Sequence, residues 1–258
     1  MMTWVIFKKD FLSFFKSPLF LLMAFLSTVM FSTTFIIGIQ NFSTLMSNSM
    51  MQMATNPQQL NIHYAVFLQH LSLVNILFMF FTPALAMKLL TEEKKNYSFD
   101  LLMSSPITSS QIVMAKYLVM VAVLFVIELI AFIYIFCTVK MFNFNILPTV
   151  LTGIGIFSVG ALYSALCLFA ASLTTYPLIA LILGTVLNLA LWMIGGLADF
   201  FNPSLIKSIF EQMSVNQHLQ VMIDGVIKTN SIVFFLSGIF LFCFLSERVI
   251  ESSRWGSR

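Results

Sequence analysis

The sequence predicts an all-α, polytopic membrane protein with six transmembrane helices. Three observations lead there. Hydrophobic residues make up 59% of the chain and charged residues only 9%, where a soluble domain carries about 25% charged residues. So few polar groups cannot clothe a soluble surface, and lipid must cover much of the chain. The apolar residues fall into six runs, most of them near the roughly 20 residues that cross a bilayer as a helix. The 13 lysines and arginines stand in short clusters between those runs. That suits a membrane protein better than the basic face of a nucleic-acid binder.

The elements follow in order. Residues 3–16 place Trp4, Phe7, Phe11, Phe14 and Phe15 on one helical face, with Lys9, Ser13 and Lys16 roughly opposite. This is the pattern of an amphipathic helix lying in the membrane interface. The other reading, an extension of the first span, would bring Lys8, Lys9 and Asp10 into hydrocarbon, which is costly. Pro18 then turns the chain. Spans are expected at 19–40, 67–90, 117–139, 150–173, 177–197 and 231–245. The first apolar run is longer than the 7–15 residues of a signal-peptide core and reads as an uncleaved span. Residues 41–62 are uncharged and rich in Asn, Gln, Ser and Met, and read as a polar connection. Within 198–230, residues 204–213 and 215–223 read as short helices that cannot span, and Asp224-Gly225 as a turn. No repeat or low-complexity linker divides residues 1–258, so we expect a single domain.

Charge sets the orientation. With the N-terminus in the cytoplasm, Lys8, Lys9, Lys16, Lys88, Lys94, Lys95, Lys116, Arg248, Arg254 and Arg258 lie inside. Only Lys140, Lys207 and Lys228 lie outside. Ten against three follows the positive-inside rule, and six spans return the C-terminus to the same side. A bacterial cytoplasmic membrane with both termini inside is the expected location.

Signs of catalysis are few. His63, His70 and His218 are scattered, and Gly153, Gly155 and Gly160 do not form a phosphate cradle. A P-loop is missing, so the chain is not expected to hydrolyse ATP itself. Cys137, Cys167 and Cys243 read as small buried hydrophobes, with neither zinc spacing nor a disulfide framework. Glu128 sits midway along the third span. An ionisable group there either faces the bundle and hydrogen-bonds a neighbour or has a functional role. Asn75 and Asn188 are candidates for interhelical hydrogen bonds. Gly153, Gly160, Ala161, Ser164 and Ala165 permit close helix approach, within the subunit or at a dimer contact.

The most informative stretch is 91–112, between the second and third spans. Glu92, Glu93, Lys94 and Lys95 make a charged turn. Phe99, Leu101, Leu102 and Met103 then form an apolar patch too short to span, broken by Pro106. Thr108 or Ser109 can cap the helix that becomes the third span. The stretch reads as a docking piece held below the membrane, or else as an ordinary solvated loop.

Here the sequence resembles the permease subunits of ABC-2 type transporters. Glu92-Glu93-Lys94-Lys95, then Ser98-Phe99-Asp100-Leu101-Leu102, Ser105-Pro106-Ile107 and Gln111-Ile112-Val113-Met114-Ala115-Lys116 follow that family's pattern. The pattern is a glutamate pair with basic neighbours, a Leu-Leu-x-x-x-Pro element, and an Ile-Val-x-x-Lys lead-in to the third span. Tyr97-Ser98 and Asp100 stand where the family usually has Gly-Thr or Ser-x-Glu. Within the family the chain is most similar to the gliding-motility-associated branch, through Pro83-Ala84-Leu85-Ala86-Met87-Lys88, residues 210–227 and Val233-Phe234-Phe235. The resemblance implies a transport subunit driven by a separate cytoplasmic ABC ATPase that binds the ATP and magnesium, this chain holding no cofactor. It implies a second permease subunit, identical or different, within membrane lipid. An auxiliary protein with an extracytoplasmic domain and mechanical force transfer to the envelope fit the same picture. The coupling residues would be Glu92, Glu93, Lys94, Phe99, Leu101, Leu102 and Pro106, supported by an interfacial helix with Trp4, Phe7, Lys8, Lys9 and Phe11. The alternatives are an ion-linked transporter or channel using Glu128, and a non-transporting membrane scaffold.

Overall fold

The structure, a computed structural model, describes residues 2–51, 61–105, 107–141, 146–197 and 205–256. Among these, every regular element is helical. They are α1 (Met2–Phe15), α2 (Pro18–Met51), α3 (Leu68–Ala86), α4 (Glu92–Lys95), α5 (Ser98–Ser104), α6 (Ser109–Met141), α7 (Leu147–Ser172), α8 (Pro177–Leu197), α9 (Leu205–Met213), α10 (Val215–Ile223) and α11 (Thr229–Gly256). Wider π-helical turns at His63–Phe67 and Met87–Thr91 flank α3. Among the described residues six helical stretches are long and apolar enough to cross a membrane: 18–47, 63–95, 109–140, 147–172, 177–196 and 229–253.

Several helices run further than the sequence suggests. The 41–62 connection is helical up to Met51, with residues 52–60 outside the description. In this extension the Ser and Thr hydroxyls satisfy themselves on their own helix, as Thr44 does on the Asn41 carbonyl at 2.8 Å. The second span likewise does not stop at 90 but continues through the π turn into α4.

Boundaries have local causes. Ser17 accepts from the Phe20 backbone N–H at 3.3 Å and Pro18 opens α2, so capping and a proline in the first turn set the break after α1. Thr108 and Gln111 form a reciprocal capping box at the start of α6, with distances of 3.3 and 3.4 Å. Ser214 caps α10 by accepting from the Gln217 N–H.

α7 is the central helix. Some 78% of its most apolar window is buried, against 17% for α8 and for α11. It packs on α3, α6, α8, α10 and α11. Its small residues make this possible: a Cβ at Gly160 would run into the Phe78 ring. Gly153, Gly160, Ala161, Ser164 and Ala165 are all buried within the chain. Of the two readings of that stripe, packing inside the subunit is the one realised. Cys167 and Cys243 are buried as expected, but Cys137 is exposed on α6.

Polar contacts tie the spans together. Pro83 lacks the N–H that would bond to the Met79 carbonyl one turn earlier. Asn188 of α8 fills that vacancy, its Nδ2 donating to the Met79 oxygen and to Thr82 Oγ1, both at 2.9 Å. At the end of the bundle where α10 docks, His63 Nε2 lies 3.3 Å from the Ile223 carbonyl and Nδ1 3.0 Å from Thr149 Oγ1. The carbonyl can only accept, so Nε2 carries the proton. α10 buries Val215, Leu219, Met222 and Ile223 against this end.

Candidate functional site

The charged residues converge on the opposite end, where α1, the π turn, α4, α5 and the first turns of α6 meet. α1 packs on α6 through Ile6, Asp10 and Phe14, spaced four apart on one face. The buried stripe therefore contains an acid. Phe7, Phe11 and Phe15 flank it as a half-buried ladder, with successive ring centroids 5.5 and 4.5 Å apart. Trp4 extends the stack but is itself exposed. Lys8 and Lys9 are exposed.

Asp10 meets Lys116, which lies two turns into α6. Its Nζ is 2.7 Å from Asp10 Oδ2 and 2.6 Å from Glu93 Oε2. The lysine side chain is 1% exposed. One buried cation thus bridges two carboxylates from two other elements. Removing ions from water costs several kcal/mol each, so such a cluster persists only with close pairing. Lys9, at 3.8 Å from Asp10, adds positive charge at the exposed rim.

The remaining predicted residues divide into fixed and free. Glu92 pairs with Lys88 at 2.6 Å, one helical turn back. Lys94 donates to the Ser172 carbonyl at 2.6 Å, at the C-terminus of α7, and its Nζ stands 5.8 Å from the Phe99 ring centre. A cation there satisfies a terminal carbonyl and complements the helix dipole. Phe99 is only 3% exposed and belongs to the core. Leu102 is half-buried against the core, whereas Leu101 is 74% exposed. Pro106 lies outside the described residues. Between α4 and α5 the chain turns through Tyr97, whose φ of 58° and ψ of 6° are left-handed. This conformation is rare for a non-glycine residue. The tyrosine, like Leu101, is exposed.

α4 and α5 therefore form an elbow with an anchored inner side and an exposed tip. Glu93 and Lys94 anchor it to α6 and α7, Asp10 brings α1 into the same cluster, and Tyr97 and Leu101 face outward. A polar cleft of about 370 Å³ lies beneath, lined in part by Asp10, Ser13, Lys88, Glu92 and Glu93. Sequence reading alone does not single out Asp10. The signal is its place in the Ile6–Asp10–Phe14 spacing, which makes it an acid on a packing face. Lys116 is visible as a motif residue, but its two partners are not.

The family model for ABC-2 family transporter proteins matches residues 4–246 of this sequence. The chain belongs to the ABC-2 family. A search of curated proteins finds no match to it. The family match takes in nearly all of α1, the elbow, the first five candidate spans and residues 229–246 of the sixth in this ABC-2 chain. It makes the chain a membrane transport subunit, a class in which the ATPase is a separate partner and dimers are usual.

Proposed function

We propose that this chain is the permease subunit of an ABC transporter whose elbow receives force from a cytoplasmic ATPase. The observation that carries the reading is the Lys116 bridge between Asp10 and Glu93. It ties the elbow to α1 and to the base of α6, so a push on the exposed tip moves three elements as one body. Lys94 extends the same body to the end of α7. Glu92 and Glu93, engaged within the chain, serve to hold the elbow; Tyr97 and Leu101 are the contact surface. The ATP and magnesium reside on the partner. On this reading α1 lies at the cytoplasmic face of a bacterial inner membrane, with the termini inside. Two permease subunits pair across the membrane and move cargo outward, or deliver force to an envelope partner. Likeness to the gliding-motility-associated branch rests on residues 83–88, 210–227 and 233–235.

The test is purification in mild detergent followed by coupling assays. An ATP-hydrolysing chain is expected to accompany the permease. Leu101→Asp with Leu102→Asp should separate ATPase activity from transport while membrane insertion persists. Unchanged function in that double variant would reject the elbow as the coupling element.

A further inference from the structure

A second feature lies far from the elbow, at the seam of α6 and α7. Glu128 is twelve residues from Lys116 and twelve from Lys140, so about 18 Å of helix separates it from either cation. It is 5% exposed. Among the described residues it has neither a hydrogen-bond partner nor an ion pair. It lines a groove of about 230 Å³ whose remaining wall is almost wholly apolar. Phe125 and Phe157 meet edge to face there at 5.7 Å, and Phe132 and Phe136 lie 6.0 Å apart. Gly153 lets the Phe132 ring pack closely against α7: a Cβ on it would run into that ring and stand 3.3 Å from Glu128 Oε1.

We infer that this groove is a binding site for a lipophilic cation. A single acid among four phenyl rings offers two attractions to positive charge. One is the carboxylate itself. The other is the negative face of each ring, both strengthened away from water. Ionised Glu128 repels an anion, and a neutral molecule forms no ion pair with it. Lipid headgroup amines do not reach the site, because the hydrocarbon layer is about 30 Å thick and Glu128 lies near its middle. The ligand must carry its charge on an apolar body that enters from the lipid side, where Phe125, Leu129, Phe136 and Ile154 are partly exposed. The site stands independently of the coupling elbow.

The test uses the full-length chain in nanodiscs of neutral phospholipid, with tritiated benzyldimethyldodecylammonium as probe. Saturable binding is expected, and Glu128→Gln should weaken it at least about tenfold. Gly153→Ala, which drives Phe132 off its position, should weaken it as well. Because a variant can fail to insert, a second measurement uses the unaltered chain. N,N′-dicyclohexylcarbodiimide should modify Glu128, and saturating probe should slow that modification. Equal probe binding by a folded Glu128→Gln chain, or carbodiimide modification indifferent to the probe, overturns the assignment.

Discussion

At the scale of single residues, identical chemical types carry very different weight. Lys116 and Lys88 each hold a glutamate at 2.6 Å. Lys116 is buried and also holds Asp10; Lys88 and Glu92 are partly in solvent. Lys116→Met leaves two carboxylates without their cation and should cost about 3–5 kcal/mol. Glu92→Gln should cost no more than about 1 kcal/mol. Thermal unfolding of both variants in one detergent measures the contrast, and equal losses would mean that the buried cluster is not closed in solution. Asn188 supports a sharper comparison. Its bond to the Met79 carbonyl matters because Pro83 withholds an N–H. In a cycle of Asn188→Leu, Pro83→Ala and the double variant, the two sites should couple by about 1 kcal/mol. The alanine N–H can then take over the Met79 carbonyl, making the asparagine less necessary. Strict additivity would show that the carbonyl has another partner.

At the scale of elements, the elbow joins a strained turn to two rigid helices. Tyr97 occupies a left-handed conformation that costs a non-glycine residue about 1–2 kcal/mol. Tyr97→Gly should therefore raise the melting temperature, as the strain is relieved, while weakening ATPase coupling through loss of the exposed ring. A lower melting temperature would mean that the ring packs onto the chain and is not offered to a partner. Helix existence and the charged turn at 92–95 were legible because apolar run length and charge clustering are local properties of a sequence. Thr108 as a cap was legible for the same reason, since its partner stands three residues away. The anchors were not. Lys116 reaches a residue 106 positions earlier in the chain, and Lys94 reaches the end of α7, pairings that only the assembled bundle defines. Phe99 and Leu101 show the limit most clearly. Both are apolar and two residues apart in one short helix, yet one enters the core and the other faces out. Periodicity over seven residues cannot decide between them.

At the scale of the whole molecule, the two ends of the bundle differ in charge and in construction. The elbow end carries Lys88, Lys94, Lys95, Lys116 and Arg248 together with the exposed lysines of α1. The other end carries Lys140 and Lys228 and is closed by α10 through the His63 contacts. Positive charge resists translocation, so on the proposed reading a bundle with this asymmetry should insert with the elbow in the cytoplasm. α1 and the last turn of α11 are both at that end, because among the described residues six candidate spans run from the start of α2 to the end of α11. Single cysteines test the arrangement directly. In a chain with Cys137→Ser, which removes the exposed native thiol, Tyr97→Cys should react with a membrane-impermeant maleimide only after the membrane is opened. Asp224→Cys, in the exposed turn after α10, should react from outside in intact cells. The reverse pattern would put the elbow beyond the reach of any ATP-hydrolysing partner, and the proposed coupling would have no source of force.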